Sequence, residues 1–491
     1  MKKILVANRG EIALRVMRTA RDMGIRTVAV YSEADRHAPH VKYADEAYCV
    51  GPPPSSESYL RIDKIIEICK AHDVDGVHPG YGFLSENPNF ARELERANIT
   101  LIGPSAHAME IMGSKLAAKA AVKGYNIPMV PGTDEAIEDP EEAKKIARDI
   151  GFPILIKASA GGGGKGMRVV EREEDLTEQM ERAISEAKSS FGDGSVFVEK
   201  YVTKPRHIEI QVMADKHGNV VHFFERECSI QRRHQKVVEE APSAILTPEM
   251  RDAMGTAAVN VAKACDYIGA GTVEFLVDAG MNFYFLEMNT RLQVEHPVTE
   301  MITGFDLVRE QIRVARGEEL GYSQDDIEMH GHAVELRVYA EDPEQNFLPD
   351  TGKLITYRRP HGVGVRVDDG FEEGMSIPIF YDPMISKLVA YGKDRDEAIA
   401  RMKRIIDDYH ITGVKTTLPF GKFVMDNEAF TSGDFDTGFV GKYFDPESIR
   451  ASNEDEEQIA SILANAWFEK EGVHQHQKVE APSYSRWRNR A

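Results

Sequence analysis

Cysteine and tryptophan are scarce in this sequence, which has four and two of them among 491 residues. The cysteines lie far apart and form no Cys-x-x-Cys pair, so neither a zinc site nor a disulfide framework is expected; they are Cys49, Cys69, Cys228 and Cys265. No apolar run approaches the roughly 18 residues that a membrane-spanning helix requires. The first residues, MKKILVANRG, start a strand pattern and lack the features of a secretory signal. We therefore expect a cytoplasmic protein with reduced thiols and no membrane contact.

Basic residues are also outnumbered by acidic ones: the sequence has 60 lysines and arginines and 80 aspartates and glutamates, which gives a formal net charge of -20. Duplex nucleic acid binds to clustered cations, so a nucleic-acid partner is not expected. The clearest basic cluster, residues 231–236 (QRRHQK), lies among acidic residues. That setting suits a small anionic substrate better than a polymer.

The order of apolar and amphipathic segments predicts several domains, because 491 residues exceed one ordinary hydrophobic core. Residues 1–114 alternate short apolar runs with helical spacing, beginning with 3–7, 11–23 and 27–31. This alternation is typical of a parallel, Rossmann-like α/β domain. Its first turn, residues 8–11, lacks the G-x-G-x-x-G sequence, so dinucleotide binding there is not predicted.

The rest of the chain is predicted to be of α+β type. Strands with alternating patterns recur between residues 154 and 289 and indicate an antiparallel sheet. Further strands and a helix after residue 331 predict a third module. The predicted divisions are 1–114, 115–330, 331–447 and a tail, 448–491, made of a peripheral amphipathic helix and a polar end.

Five glycines within residues 161–166 follow an apolar strand that carries Lys157. Glycine leaves the backbone free to bring its N–H groups close to an anion, so phosphate is the natural ligand. The loop is not a Walker A sequence, because Gly166 follows Lys165 where serine or threonine would stand. A flexible linker is the alternative, but Lys157 favours phosphate, because a strand-anchored ammonium beside such a loop neutralises phosphate charge.

Three oxygen-bearing side chains are predicted to lie on two paired strands. Glu287 and Asn289 are two apart and so share a strand face, and residues 278–282 predict a hairpin turn that brings Glu274 beside them. Two carboxylates and an amide are costly to bury on inward strand positions without a compensating cation, and their oxygens suit Mg²⁺ that bridges nucleotide phosphates. A solvated polar strand face is the alternative, which the neighbouring phenylalanines disfavour because they indicate a packed sheet.

Directly after Asn289, the chain carries a cation, an amide and a carboxylate at Arg291, Gln293 and Glu295. A carboxylate held near arginines and a metal ion is suited to act as a general base on an anionic nucleophile, while the cations bind the substrate and the developing charge. Taken alone, the same run is equally compatible with a salt-bridged loop.

These stretches resemble biotin carboxylase, the ATP-grasp subunit of acetyl-CoA, propionyl-CoA and pyruvate carboxylases, from Lys3 to about Phe444. The matching stretches are 7–13 (ANRGEIA), 78–87 (HPGYGFLSEN), 161–166 (GGGGKG), 232–237 (RRHQKV) and 287–296 (EMNTRLQVEH). The resemblance implies a Rossmann-like N-terminal domain, an ATP-grasp domain with a mobile lid at about 131–203, and a C-terminal biotin carboxylase domain.

The resemblance also implies a role for each residue of the site. Those expected to bind ATP are Lys115, Lys157, Gly163, Gly164, Glu199, Lys200, Val202, His207, Gln231, His234, Leu276, Glu274 and Glu287. Those expected to hold Mg²⁺ or Mn²⁺, as two ions, are Glu274, Glu287 and Asn289. Those expected to bind bicarbonate are Lys236, Arg291, Gln293, Val294 and Glu295, with Glu295 as the base. Biotin is expected beside Tyr81, Gly82 and Arg337, and the implied catalytic residues are Glu295, Arg291, Lys236 and Arg337.

The implied reaction has two stages. Bicarbonate attacks ATP to give carboxyphosphate and ADP, and the carboxyl group then passes to biotin, with phosphate as the base. Carboxyphosphate hydrolyses readily, so the glycine lid has to exclude water before it forms.

The biotin is expected to arrive on another polypeptide. The sequence has no Ala-Met-Lys-Met attachment sequence, and the nearest string, residues 400–403 (ARMK), does not match it. The expected partners are therefore a biotin carboxyl carrier protein and a separate carboxyltransferase, and the resemblance favours a homodimer. The final acceptor, whether acetyl-CoA, propionyl-CoA, another acyl-CoA or pyruvate, is not determined by these residues.

Two other functions stay open from the sequence. Another ATP-grasp ligase that makes an acyl phosphate would share the loop and the metal set but lack the arrangement of residues 291–295 and Arg337. A catalytically silent ATP-binding protein would have lost Glu295, Arg291 or Lys236, and all three are present.

Overall fold

The computed structural model of the chain describes residues 1–133, 137, 139–158, 167–191, 194–233, 235–447, 449 and 458–468. None of the helices within these ranges combines the length and the apolar character needed to cross a bilayer.

The N-terminal region is built on a parallel sheet with helices around it. Its strands are β1 (Lys3–Val6), β2 (Arg26–Ser32), β3 (Glu46–Gly51), β4 (Gly76–His78) and β5 (Thr100–Leu101). Its helices are α1 (Gly10–Asp22), α2 (Pro39–Tyr43), α3 (Ile62–Ala71), α4 (Pro88–Arg96) and α5 (Ala106–Gly113). The strand order is β3-β2-β1-β4-β5 and every pair is parallel, which confirms the α/β fold predicted for this region. The central strand β1 is apolar because both faces of the sheet are covered.

A second region follows with two kinds of sheet. Its helices are α6 (Lys115–Val122), α7 (Pro140–Ile150), α8 (Leu176–Phe191), α9 (Pro248–Ala264), α10 (His296–Thr303) and α11 (Leu307–Ala315). Its strands are β6 (Ile154–Ala158), β7 (Met167–Val170), β8 (Val196–Lys200), β9 (Arg206–Ala214), β10 (Val220–Arg232), β11 (Gln235–Ala241), β12 (Gly269–Val277) and β13 (Phe283–Asn289). Strands β6 to β8 form a small antiparallel sheet of their own, in the order β7-β6-β8.

The last region adds more strands and a helical layer. Its strands are β14 (His332–Tyr339), β15 (Glu341–Asp342), β16 (Leu348–Pro349), β17 (Thr356–Arg358), β18 (Val365–Asp369), β19 (Met384–Gly392) and β20 (His410–Thr412). Its helices are α12 (Arg395–Asp407), α13 (Leu418–Asp426), α14 (Glu428–Ser432) and α15 (Phe439–Tyr443). The short strands pair as β15-β16 and β17-β20.

One large antiparallel sheet carries the site, in the order β13-β12-β9-β10-β11-β14-β19-β18. Its strands come from both the second and the last regions, so the sheet continues across residue 330, where the sequence predicts a division. The alternating sequence pattern of β10 ends at residue 225, but the strand itself continues to Arg232. The pattern ends early because register irregularities after His222 and Glu227 break the alternation.

The amphipathic helix predicted in the tail is present at residues 458–468. All of its side chains are exposed, including the apolar Ile459, Ile462, Leu463 and Trp467.

Candidate active site

The carboxylate of Glu295 lies between two cations. It belongs to the segment between β13 and α10, where it is the residue that precedes the helix, and it is 1 % exposed. Lys236 Nζ donates to Glu295 Oε1 at 2.7 Å, and Arg337 Nη2 donates to Oε2 at 3.0 Å. Burial would raise the pKa of this carboxyl, but Lys236, Arg337 and Arg226 together lower it below its ordinary value. The group is therefore ionised at neutral pH.

The ammonium of Lys236 joins three carboxylates. Besides Glu295, it contacts Glu209 Oε2 at 2.5 Å and Glu274 Oε1 at 2.9 Å, from the strands β9 and β12. Burial would lower the pKa of Lys236, yet these three carboxylates raise it well above its ordinary value. Lys236, a member of the basic cluster at residues 231–236, is thus surrounded by three acidic side chains.

A buried guanidinium, that of Arg226 on β10, ties the strands beneath this cluster together. Its partners lie on β9, β12, α10 and the segment that precedes α10, and they are Glu209, Gln211, Thr272, Thr299 and Gln293. The Gln293 amide in turn donates to Glu274 Oε1 at 2.9 Å. Arg226 is fully buried, so these bonds compensate for the loss of water around its charge.

The predicted metal-binding residues meet across the β12–β13 hairpin. Glu274 faces Glu287 and Thr272 faces Asn289 in the antiparallel register, and the turn is closed by Asp278 N, which donates to Asn282 O at 2.9 Å. The hairpin prediction is confirmed. Glu274 is buried and its pKa lies well below its ordinary value: burial opposes this, but Lys236 and His207 outweigh it.

Glu287 differs from the expectation that both carboxylates are buried on the sheet. Glu274 and Asn289 are buried, whereas Glu287 is exposed. The register shifts between Glu274 and Phe275, which places one extra residue, Leu286, in β13, and Glu287 lines an open cleft. Glu274, Glu287 and Asn289 carry the hard oxygens that Mg²⁺ prefers, with Glu287 lining the cleft and Asn289 Oδ1 accepting from Arg291 Nη2 at 2.8 Å.

That cleft is a cavity of about 340 Å³ between the small sheet and the hairpin. Its walls include Lys119, Lys157, Glu199, Glu287 and Asn289. Both lysines pair with Glu199, Lys119 Nζ at 2.7 Å from Oε1 and Lys157 with Oε2. Apolar side chains of Met109, Met129 and Phe285 complete the lining. Cations and an acid beside an apolar floor suit a nucleotide, with its flat base and charged phosphates.

A second cavity, of about 550 Å³, lies where the N-terminal and last regions meet. Tyr81, Gly82 and Arg337, the expected biotin residues, all line it, together with Arg291 and Val294. Gly82 has φ +65°, a conformation that glycine adopts without strain. Thr290 lines the first cavity, and Arg291 and Val294 line the second, so the segment 290–295, called the wall below, runs from one cavity to the other.

Other described residues that are expected to bind ATP do not line the first cavity, among them His207, Lys200 and Gln231. His207 Nε2 is 3.0 Å from Glu274 Oε2, and burial, which lowers the pKa of His207, is outweighed by that carboxylate, which raises it. Lys200 Nζ donates to the carbonyls of Gly151 and Phe152 at 2.8 and 3.1 Å. Gln231 Nε2 donates to Cys228 O at 2.8 Å.

The remaining expected ATP-binding residues lie around the large sheet or outside the described residues. Val202 follows the end of β8, and Leu276 faces His207 across β12 and β9. The side chain of Lys115 and the residues Gly163, Gly164 and His234 lie outside the described part of the chain.

Three residues of the site are missed by the sequence reasoning. Glu209 and Arg226 are buried charges, but β9 and β10 carry other charged and polar side chains, with Glu225 and Glu227 on either side of Arg226, so no contrast with their neighbours marks them. Glu86 Oε2 accepts from Arg291 Nε at 2.9 Å. Nothing in the spacing of Glu86 connects it to a residue 205 positions away.

Comparison with known proteins agrees over most of the chain. Residues 1–109 match the family model "Biotin carboxylase, N-terminal domain", residues 114–323 match "Carbamoyl-phosphate synthase L chain, ATP binding domain", and residues 335–442 match "Biotin carboxylase C-terminal domain". A pyruvate carboxylase subunit of Methanothermobacter thermautotrophicus is 56% identical over 463 residues, which cover 94% of each chain. Biotin carboxylase 1 of Bacillus subtilis is 52% identical over 90% of this chain and 99% of its own.

A solved structure is also similar to this chain over most of its length. The biotin carboxylase domain dimer of 2-oxoglutarate carboxylase from Hydrogenobacter thermophilus, in complex with MgADP, ADP and bicarbonate, is 48% identical and superposes with a TM-score of 0.83. The match covers 90% of this chain and 97% of that one.

A nucleotide-sized cleft with strand-borne carboxylates and lysines, beside a large antiparallel sheet, defines the protein as an ATP-dependent ligase of the ATP-grasp class. Within that class, the chain belongs to the biotin carboxylase family.

Proposed function

We propose that this chain carboxylates biotin on a carrier protein, with ATP and bicarbonate, and that the wall between its two cavities is where the two stages meet. The observation that carries the proposal is the position of Glu295, an ionised carboxylate that is buried between Lys236 and Arg337 in the segment that runs from one cavity to the other. The relative from Hydrogenobacter thermophilus binds MgADP and bicarbonate, which supports the same ligands here.

The first cavity would receive ATP. Lys157 and Lys119, which now pair with Glu199, would neutralise the phosphates, and the apolar floor would hold the base. Glu274, Glu287 and Asn289 would hold magnesium, whose charge offsets that of the phosphate oxygens. Of the residues expected from the resemblance, Gly163 and Gly164 would contribute backbone N–H groups to the phosphates.

Bicarbonate would bind in the wall, at Lys236, Arg291, Gln293 and Val294. Glu295 would then take the bicarbonate proton while the freed oxygen attacks the γ-phosphorus; the bond from that phosphorus to the β-phosphate oxygen breaks, and ADP leaves. An anion that occupies the donors of Lys236 removes part of the positive field on Glu295. The proton affinity of Glu295 rises as a result, so the base becomes stronger once its substrate is bound.

The second cavity would receive biotin. Carboxyphosphate breaks into carbon dioxide and phosphate, and the phosphate takes the proton from N1 of biotin as that nitrogen bonds to the carbon. The negative charge that develops on the ureido oxygen would be stabilised by Arg337, whose guanidinium donates to Glu239 Oε1 at 2.6 Å and is oriented by that bond. Tyr81 and Gly82 would lie beside the ring.

The partners of the chain would be a biotin carrier and a carboxyltransferase, with a homodimer of this chain as the core of the assembly. The solved relative is described as a domain dimer, and the curated relatives carry the names of different carboxylases, among them pyruvate carboxylase. The acceptor would thus be set by the carboxyltransferase rather than by this site.

The test is release of ADP by the purified chain with ATP and magnesium. We expect the rate to depend on bicarbonate and to rise when free biotin is added, because both stages have to proceed for turnover. An ADP release that is unchanged after bicarbonate is removed would overturn the proposal and favour a different ATP-grasp reaction.

A further inference from the structure

A fully buried ammonium, that of Lys387 on β19, lies behind the wall between the two cavities. Its Nζ donates to the main-chain carbonyl of Val294 at 2.9 Å. The same atom lies 3.4 Å from Glu11 Oε2 and 3.9 Å from Asp368 Oδ2. No step of the proposed reaction uses this lysine.

Glu11 is the natural partner of Lys387. The carboxylate is buried, and neither oxygen accepts a hydrogen bond within the described part of the chain. Burial raises the pKa of Glu11 to about 7, and Lys387 is the largest opposing influence. Asp368, in contrast, already forms an ion pair with Arg366 at 2.7 Å. Glu11 is therefore the carboxylate nearest to Lys387 that has no arginine partner, while one N–H bond of Lys387 is directed at Val294.

The contact joins all three regions of the chain at one point. Glu11 is in the first turn of α1, Val294 is in the segment before α10, and Lys387 is opposite Arg337 in the β14–β19 register. The backbones are close here, since a Cβ on Gly370 would lie 2.7 Å from Glu11 N. A displacement of one region relative to the other two would therefore move Val294.

We propose that Lys387 is a positioning residue, which, with Glu11 as its counter-ion, holds the Val294 carbonyl and so fixes the peptide that carries Gln293, Val294 and Glu295. The inference rests on the proposed function, in which those three residues bind and deprotonate bicarbonate. Burying an ammonium costs desolvation free energy, and an apolar side chain of similar length would fill the same space without that cost. An apolar side chain would, however, lack the N–H donor to this carbonyl. Displacing a base by about 1 Å costs on the order of 100-fold in rate.

Two variants separate positioning from charge balance. Lys387→Met removes both the charge and the donor. The double variant, with Glu11→Gln and Lys387→Met together, removes Lys387 and the charge of its nearest carboxylate, while Asp368 keeps its ion pair with Arg366, but it still lacks the donor. If only the charge balance with Glu11 matters, the double variant should recover the KM for bicarbonate of the unsubstituted chain. If the hydrogen bond to Val294 matters, it should not.

The matched control is Lys42→Met. Lys42 Nζ forms an ion pair with Glu372 Oε2 at 2.6 Å, which also links the N-terminal and last regions, but both side chains are exposed and neither lines either of the two cavities. Removing it tests whether any loss of an inter-region ion pair gives the same effect. We expect this variant to behave as the unsubstituted chain.

The measurements are steady-state kinetics of ADP release and hydrogen exchange of the peptide 288–298 without substrate. For both Lys387 variants we expect the KM for bicarbonate to rise at least about tenfold, with the KM for ATP within about twofold, and faster exchange in that peptide. The inference would be overturned if the double variant recovered the KM for bicarbonate of the unsubstituted chain. It would also be overturned if hydrogen exchange of the peptide and the KM for bicarbonate were unchanged in either Lys387 variant. Should Lys387→Met fail to fold, the double variant decides.

These outcomes are distinct from those that test the proposed function. If the unsubstituted chain shows no bicarbonate-dependent ADP release, the proposed function fails, and the exchange of peptide 288–298 still decides whether Lys387 holds the segment. If that activity is present and Lys387→Met leaves it intact, the positioning role alone is refuted.

Discussion

Single charged residues in this protein are arranged so that burial and ionisation coexist. Glu209, Glu274 and Glu295 all contact Lys236, and Arg226 and Arg337 add further positive charge beside Glu209 and Glu295. An isolated carboxylate buried to this extent would take up a proton near neutral pH. Nearby cations lower the pKa of Glu274 and Glu295 instead, so under the proposed function Glu295 would gain proton affinity only when an anionic substrate occupies the donors of Lys236.

Replacing Glu295 tests that role directly. Glu295→Gln keeps the shape and one hydrogen-bond acceptor but cannot take the bicarbonate proton, so we expect bicarbonate-dependent ADP release to fall by about 10²- to 10⁴-fold. Binding of ATP, followed by titration calorimetry, should change little, because the nucleotide cavity is lined by other residues. The control is Glu67→Gln on the exposed face of α3, with activity expected to match the unsubstituted chain. Retention of activity in Glu295→Gln would assign the base elsewhere.

At the level of strands and helices, local pairings follow from the sequence and distant ones do not. Residues 278–282 predict a hairpin, and the strands pair as that turn requires from Val277 to Phe275; the extra residue Leu286 then places Glu274 opposite Glu287. The pairing of β12 with β9, about 60 residues apart, has no local signal, although it is what brings Glu209 beside Glu274. The acidic pocket was therefore predictable only in part: its members on one hairpin and its following segment were found, whereas those supplied by β9 and β10 were not.

Arg226 is the side chain on which the central strands most depend. Arg226→Met would leave Glu209 buried with fewer compensating bonds and remove the link from β10 to β9, β12 and α10. Breaking a buried ion pair from one side costs about 3 to 5 kcal/mol. We expect hydrogen exchange of β9, β10 and β12 to accelerate accordingly, which reports the local free energy of opening.

A surface arginine provides the comparison for that variant. Arg172→Met removes an ion pair with Glu174 in which both side chains are about two-thirds exposed. Exposed pairs contribute roughly 0 to 1 kcal/mol, so exchange of the same strands should be unchanged. Equal effects from the two substitutions would mean that Arg226 is not a structural link of the sheet.

In the molecule as a whole, the site lies where the three regions meet, so no region contains it alone. The N-terminal region supplies Tyr81 and Gly82 to the second cavity, the second region supplies Lys236 and Glu295, and the last supplies Arg337. Composition and spacing predicted the α/β and α+β regions. They did not predict that one sheet runs through two of them, because that depends on the pairing of β11 with β14, about 100 residues apart.

The helix at residues 458–468 contributes no buried residue to the described core. Every residue of the helix 458–468 is exposed, and Ile449 is the last buried residue in the described ranges. A chain that ends at residue 450 should therefore keep its melting temperature within about 1 °C, since none of the removed residues that the structure describes is buried, and keep its bicarbonate-dependent ADP release. A fall of several degrees would mean that the apolar side chains of the helix, Ile462 and Trp467 among them, pack against the protein in solution, and the stability of the full chain would then have to include that contact.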